Sequence, residues 1–190
     1  MMEDKMKIFV DGEEIPKSAV DFELSRLVKF YSAHIPRDEV EAQMELLERR
    51  AVEQAVGAKL LMVEAERLDI QPTEEDIESR IGQMAEDAGD LESLEESLET
   101  QGLTMEMVRD GIRRGRRVDL LVDRIAFNVA DPTEEDMRAH FAAHHAEYRG
   151  AEFSAVAEPI RNFLRHAKRG EIISQHVAEL RDKATVEISD

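Results

Sequence analysis

The sequence predicts a mainly α-helical fold, closed by a small β-sheet that both ends of the chain form together. Apolar residues recur at spacings of three and four through most of the chain, which is typical of helices packed on a core. Strand-like alternation occurs near the N-terminus, in KIFV, and again in the closing segment ATVEIS. Because an isolated strand is not stable, we expect these two segments to pair.

The composition limits the classes of function. The 190 residues carry a formal net charge of −18, which repels nucleic acid and favours cationic partners. Cysteine is absent, so disulfides and thiol chemistry are excluded, and hydrophobic residues at 42% suffice for a real core. No segment is long and apolar enough to cross a bilayer, and no signal peptide is visible. These observations predict a cytoplasmic protein, or a periplasmic one if its leader has been removed.

The N-terminal part predicts a hairpin and two helices. Met6–Ile15 forms the hairpin around Asp11-Gly12, a dipeptide that tight primed turns favour. Ser18 is expected to cap the first helix, which should end near His34 because Pro36 disfavours helical geometry at Ile35. One long helix is predicted over 36–69, with its first half at the surface and its second half, apolar nearly all round, running through the middle.

Four more helices and the closing strand follow, besides a short acidic helix. Thr73 and Thr133 each begin a helix within the same sequence, PTEED, which we interpret as two uses of a good capping sequence rather than as a duplication. The acidic helix from Leu91 should end at Gly102, and Thr104 should cap the next. The helix from Thr133 should end by Gly150. The last helix, over 153–183, should hold Pro159 in its first turns.

Four segments in this order resemble the SurA-like chaperone domain. They are IFVDGEEIPKSAVD (8–21), the helix, linker and capped helix of 46–77, LETQGLTMEMVRDGIRRGRRVDLLVDRI (98–125) and the closing helix and strand of 153–188. The resemblance implies a mainly α, multi-helix SurA/trigger-factor-like fold with a small terminal sheet. It also implies one discontinuous domain, with a core lobe of 1–71 plus 151–190 and a helical arm of 72–150.

The chain departs from this family at one place. Periplasmic members carry a parvulin-type prolyl isomerase domain between the helix equivalent to Thr133–Tyr148 and the closing helix. Here Tyr148 and Phe153 are separated by four residues, RGAE, which cannot hold a domain. The resemblance therefore implies the chaperone module alone, without a catalytic site or a cofactor, in the manner of the related arms of trigger factor.

Three clusters of charged or histidine residues offer candidate chemistry. His140, His144 and His145 form a cluster in which His140 and His144 have metal-binding spacing, and Glu147 could add an oxygen. No acidic residue stands between them as in a hydrolytic zinc helix, and we favour a solvated helix face with no metal. A basic patch is either a site for an acidic partner or, as we favour, paired with the acidic helix 91–100. Its members are Arg109, Arg113, Arg114, Arg116 and Arg117. We interpret Glu92, Glu95, Glu96 and Glu99 as a solvated face, so no catalytic residue is predicted.

Methionines and exposed aromatics suggest how a client would bind. Six methionines occupy apolar or half-apolar helix positions, where their flexible side chains suit either core filling or contact with varied ligands. They are Met44, Met62, Met84, Met105, Met107 and Met137. The predicted peptide-binding cradle lies on the first helix and the outer half of the long one. It comprises Phe22, Phe30, Tyr31, Met44 and Leu47.

Three functions from different classes stay open. The favoured one is an ATP-independent holdase that binds unfolded or nascent polypeptides through an apolar cradle. The second is a structural or adaptor module whose apolar stripes are covered in a homodimer formed by exchange of elements. The third, with least support in the residues, is a residual peptidyl-prolyl isomerase.

Overall fold

The two ends of the described chain pair in one antiparallel sheet, as the sequence predicts. A computed structural model of the protein describes residues 6–189. Strand β1 (Lys7–Val10) lies between β2 (Glu13–Ile15) and β3 (Val186–Ser189), so the strand order is β2-β1-β3. Ile8 faces Ile15 on one side and Ile188 on the other. The predicted closure of the fold by its terminal segments is confirmed.

The hairpin turn also anchors the returning strand. Asp11 and Gly12 have φ values of 52° and 82°, the left-handed geometry that a tight primed turn requires and that Gly adopts without steric cost. The backbone N–H of Asp11 donates to the carbonyl of Thr185, and the N–H of Thr185 donates to the Asp11 carboxylate, both at 2.8 Å. One short turn therefore fixes where β3 begins.

Eight helices lie between β2 and β3 within the described chain. Their bounds are α1 (Lys17–Ser32), α2 (Arg37–Ala42), α3 (Met44–Arg67), α4 (Glu74–Ala88), α5 (Leu91–Thr100), α6 (Met105–Ile125), α7 (Glu134–Ala143) and α8 (Phe153–Arg181).

The predicted long helix is interrupted, which corrects the expectation of one continuous element. Gln43, at φ −100° and ψ 5°, leaves helical geometry and separates α2 from α3. On one side of the break, Val40 of the short α2 is buried. On the other side, α3 packs against α1 and the sheet. The second half of α3 is central, as predicted, with Val56, Leu60 and Ala65 all at 4% exposure or less. The expectation that the first half lies at the surface is wrong for Leu47 and Ala51, which are both 0% exposed.

Helices α4, α5 and α6 share a small core of their own. Ile77, Ile81, Leu94 and Leu98 are buried together. Apolar residues of α6 and of the segment before it cover this cluster, among them Leu103, Val108 and Ile112. The stripes of three short amphipathic helices are thus used to seal one cluster.

The helix starts agree with the sequence except at α1. Thr73 and Thr133 each form a capping box with the aspartate three residues later. The expected cap by Ser18 is wrong, because α1 begins one residue earlier, after Pro16, and has no side-chain cap. Pro16 lacks an N–H and its φ of −65° already suits the start of a helix. Helix α7 ends at Ala143, before the predicted Gly150, and turns follow to Gly150.

The chain divides into two compact units. One comprises the residues up to Leu121 together with those from Glu179 onward, and the other comprises Val122–Ala178. These bounds differ from those of the predicted lobes, 1–71 plus 151–190 and 72–150, which stay a prediction. Among the described residues, almost all buried apolar side chains lie in the first unit. The second unit has three of them: Ala126, Met137 and Ile160.

Candidate functional site

An open apolar groove of about 540 Å³ lies within the first unit. It is bordered by the end of β2 and the start of α1, by the middle of α3 and by α6. Apolar or small side chains form most of its lining: Ile15, Pro16, Ala19, Phe22, Ala55, Ala58, Met62, Gly115 and Val118. Such a groove is the kind of surface that accepts apolar side chains of a ligand.

Small residues on facing helices create the groove. Ala19 of α1 and Ala58 of α3 stand where longer side chains would close the space between the helices. Ile15 and Ala55, at 5% and 3% exposure, form a rigid base, whereas the Phe22 side chain is 62% exposed. A buried base beside a free aromatic ring offers a ligand new apolar contact without rearrangement of the core.

Four charged residues also line the groove, and they differ in their partners. Lys59 is paired with Glu13, and Glu23 accepts a hydrogen bond from Arg26 at 2.8 Å. Within residues 6–189, Arg114 and Glu14 form no ion pair or side-chain hydrogen bond, and both are exposed. The groove therefore presents one cation and one carboxylate that are free to meet charges of a ligand.

The five predicted cradle residues do not share one surface. Phe22 lines the groove, whereas Phe30, 60% exposed, borders a separate depression with Leu27 and Ala33. The Tyr31 hydroxyl accepts a hydrogen bond from Arg50. Met44 is half-buried at the start of α3.

Leu47 differs from the other four because it lies in the core. Its side chain is 0% exposed, so a ligand cannot reach it without unfolding, and the surface that we propose leaves it out. Helical periodicity showed that Leu47 lies on an apolar stripe, but it could not show that this part of the stripe is completely buried.

Sequence reasoning missed most of the groove. Met62 is among the methionines predicted either to fill the core or to contact a ligand, but nothing in the sequence brings it next to Val118 of α6. The small residues Ala19 and Ala58 were not predicted as part of a binding surface. Their role is to leave space, and space depends on which helices are neighbours.

The arginine patch is mostly paired, but with different partners from those expected. Its acidic partners lie on α4 and at the end of α3 rather than on α5, which corrects the predicted pairing. The nitrogen–oxygen distances are 2.6 Å for Arg109–Glu78, 3.5 Å for Arg113–Glu74, 2.9 Å for Arg116–Asp76 and 3.1 Å for Arg117–Glu66. Helix α5 buries Leu94 and Leu98 in the cluster that it shares with α4, and its glutamates are exposed.

The histidines belong to an aromatic cluster in the second unit. The rings of His140 and His144 stack at 4.4 Å, and His140 also meets Phe163 at 5.1 Å. Nδ1 of His144 lies 2.9 Å from the Glu147 carboxylate. In the part of the chain that the structure describes, no three His, Cys, Asp or Glu side chains could hold a metal ion.

Apart from Met44, which is half-buried at the start of α3, the methionines singled out in the sequence fall into two groups. Met137 is buried in the second unit, and Met84 and Met105 pack against the cluster of α4 and α5. Met62 lines the groove and Met107 is 53% exposed, so these two are accessible to a ligand. Core filling accounts for the first group, as expected of most single methionines.

No helix among residues 6–189 has both the length and the apolar character needed to cross a bilayer.

A mainly helical domain, closed by a terminal sheet and carrying an apolar groove, is an architecture of chaperone domains. Residues 3–122 match the family described as the SurA-like N-terminal domain. The chain therefore belongs to the SurA-like N-terminal domain family. Membership in this family supports a chaperone-type role.

Two sets of relatives agree with this assignment. The chain is 27% identical over 146 residues to the foldase protein PrsA of two Clostridium perfringens strains. The match covers 73% of this chain, which spans 42% of the length of those relatives. A solved structure from work on PEB4 and the periplasmic protein Cj1289, described as SurA-like chaperones of Campylobacter jejuni, superposes with a TM-score of 0.61. At 12% identity, with 97% of this chain and 98% of that one covered, the superposition supports the fold.

Proposed function

We propose that this protein is a chaperone domain that holds unfolded or nascent polypeptides without ATP. The observation that carries the proposal is the open apolar groove, with its buried base and the exposed Phe22 ring. Family membership and the PrsA relatives support a chaperone-type role, and the groove supplies a surface suited to one.

Binding in such a groove is weak for each contact. Covering the exposed part of one phenylalanine contributes about 1–2 kcal/mol. A client that fills the groove with a few apolar side chains therefore binds and leaves readily, as a holdase without an energy source requires. The net charge of −18 keeps the loaded chaperone soluble.

The test is suppression of aggregation of a chemically denatured client by a stoichiometric amount of the chain, without nucleotide. We expect suppression by the wild type and a clear loss in Phe22→Ser and Ala58→Arg, which remove the free ring or fill the space. Both positions are exposed, so the fold should persist, and circular dichroism checks this.

Phe127→Ser is the matched control, because Phe127 is 83% exposed but does not line the groove. Equal loss in Phe22→Ser and Phe127→Ser would show that any exposed ring serves and would remove the groove from the proposal. Absence of suppression at every ratio would remove the holdase itself.

A homodimer formed by exchange of elements is the second candidate, and one observation favours it. Strand β3 is at the edge of the sheet, and Ile188 on it is 49% exposed. An unpaired edge with an apolar side chain can pair with another chain. Light scattering over a dilution series separates a permanent dimer from a monomer, and the aggregation assay shows whether a dimer still binds clients.

We further propose that the chain does not catalyse prolyl isomerisation. Residues 144–152, which connect α7 to α8, are where the family's parvulin domain would be inserted, and they form short turns here. A proline-peptide isomerisation assay checks this, because a pure holdase leaves the uncatalysed rate unchanged.

The compartment is proposed from the relatives. The expected cytoplasmic location finds no support among them, since Cj1289 is described as periplasmic. We therefore favour the alternative, an exported protein. Fractionation of the source cells with an antibody against the chain tests it directly.

A further inference from the structure

Arg114 is the exception within the arginine patch. Arg109, Arg113, Arg116 and Arg117 each lie within 4.0 Å of a carboxylate on α4, on α6 or at the end of α3. Arg114 has no such partner among residues 6–189, although the chain carries 43 acidic residues. It lines the groove instead.

The position of Arg114 explains why it has no partner inside the chain. Asp110, one helical turn before it, is engaged by Arg113 at 2.6 Å. The other side of Arg114 borders the apolar lining of the groove, which Val118 continues on the same helix. A guanidinium beside an apolar surface is arranged to meet a carboxylate that arrives with apolar neighbours.

We propose that the groove takes an apolar client segment that carries one acidic side chain, and that Arg114 pairs with its carboxylate. This inference rests on the proposed holdase function and adds the class of segment that the groove selects. The apolar part of the segment covers Phe22 and Met62, and the ion pair with Arg114 fixes its register.

The remaining charges of the groove make the arrangement directional. Lys59 is held by Glu13 and Glu23 by Arg26, so neither competes for the ligand. Glu14 on β2 is unpaired and repels a carboxylate, whereas Arg114 on α6 attracts it. The segment therefore binds with its acidic residue towards α6.

The net charge of −18 does not oppose a single carboxylate at this place. At physiological ionic strength charges more than about 8 Å apart are largely screened, so contact with Arg114 outweighs the general repulsion. A segment with several acidic residues forms one ion pair with Arg114, while each of its other carboxylates is repelled by the negative net charge of the chain. We therefore expect preference for an isolated acidic residue within an apolar run.

The experiment measures fluorescence anisotropy of a labelled peptide with an amidated C-terminus. Its apolar run of leucine and alanine is followed by a glutamate, and matched peptides carry glutamine or lysine at that position. We expect the wild type to bind the glutamate peptide about threefold to fivefold more tightly than the glutamine peptide, the range for an exposed ion pair.

Variants of the chain then assign the preference. Arg114→Gln should remove the preference, so that the glutamate and glutamine peptides bind equally, while Arg114→Glu should shift the preference to the lysine peptide. Arg113→Gln is the matched control, because Arg113 is already paired and does not line the groove, and it should keep the preference.

Two results would contradict the role proposed for Arg114. One is equal binding of all three peptides, which leaves the holdase standing and removes the role of Arg114. The other concerns a glutamine peptide with a free C-terminus. If Arg114 raises the affinity for this peptide but not for the amidated glutamate peptide, the site binds the C-terminal carboxylate of a chain rather than an acidic side chain. Absence of binding by every peptide would remove the groove as the binding surface, whereas the holdase function itself is decided by the aggregation assay.

Discussion

Two helices of this chain begin with the same five residues, PTEED, in two different units. At Thr73 and at Thr133 the threonine hydroxyl accepts from the aspartate N–H at 3.1 Å in both cases. The aspartate carboxylate accepts from the threonine N–H at 3.0 Å and 2.9 Å. The same local sequence has produced the same local geometry.

The surroundings of the two helices differ. Helix α4 buries Ile77 at 0% and Ile81 at 5% exposure against α5, and Arg116 of α6 donates to its capping aspartate at 2.9 Å. Helix α7 buries one apolar side chain, Met137, at 4% exposure. A cap decides where a helix starts, whereas the buried face decides how much the helix contributes to stability.

The largest expected effect contrasts the two buried faces. Ile77→Ala should lower the free energy of unfolding by about 3 kcal/mol and Met137→Ala by about 2 kcal/mol, because Ile77 loses more packed neighbours. Urea unfolding followed by circular dichroism measures both. Leu91→Ala, at a 50% exposed position of α5, is the control and should change little. A larger loss for Met137 would reverse the comparison.

The two caps should contribute equally. Thr73→Ala and Thr133→Ala each remove an acceptor for an N–H at a helix start, which costs about 1 kcal/mol. Thermal unfolding of the two variants measures the losses. The matched variants Thr73→Ser and Thr133→Ser keep the acceptor and should stay close to wild type. Unequal losses would show that the surroundings act on the cap itself.

Acid should separate the two capping aspartates. The Thr73 hydroxyl and N–H, and then Arg116, lower the pKa of Asp76 from 3.8 to about 2. Thr133 lowers the pKa of Asp136 in the same way, without an arginine bound to it. A carboxyl whose pKa is lower in the folded than in the unfolded state stabilises the fold at pH values above its unfolded pKa. This stability is lost as pH falls from about 4 towards 2.

We therefore expect a shallower loss of stability over that range in Asp76→Asn than in wild type. NMR titration of the two carboxyl carbons reports their pKa values directly. If the pKa of Asp76 has its ordinary value, or equals that of Asp136 both in wild type and in Arg116→Gln, then Arg116 plays no part in lowering it.

The smallest expected effect concerns the ion pair of Arg116 with Asp76 at the start of α4, since the capping aspartate of α7 has no arginine bound to it. Arg116→Gln should lower the free energy of unfolding by less than about 1 kcal/mol, because the pair with Asp76 is partly exposed. Arg165→Gln, which breaks the exposed pair with Asp131 at 2.7 Å in the second unit, is the matched control. Similar small losses are expected, and a loss of several kcal/mol at either site would contradict the exposed geometry.

The sequence predicted what local chemistry decides. The hairpin at Asp11-Gly12, both capping boxes and the strand after Ala184 follow from residues close together in the chain, and the structure confirms them. The pairing of the terminal strands could also be predicted, because the closing strand had no strand to pair with except those of the N-terminal hairpin.

The sequence could not predict what depends on which helices become neighbours. The break at Gln43 has no proline or glycine to mark it. The arginine patch has its partners on α4 and at the end of α3, and Leu47 is completely buried, and helical periodicity shows neither. The groove depends on the absence of side-chain volume at Ala19 and Ala58, which becomes meaningful after α1, α3 and α6 are placed.

The terminal sheet has a consequence for how the protein is made on the ribosome. Strand β1 is synthesised early, but the strand that covers one of its edges, β3, is synthesised after all eight helices. Until then the hairpin has an open edge next to Ile8 and Val10, and closure requires contact between residues far apart in the chain. A protein proposed to shelter incomplete chains therefore cannot close its own sheet until all eight of these helices have been translated.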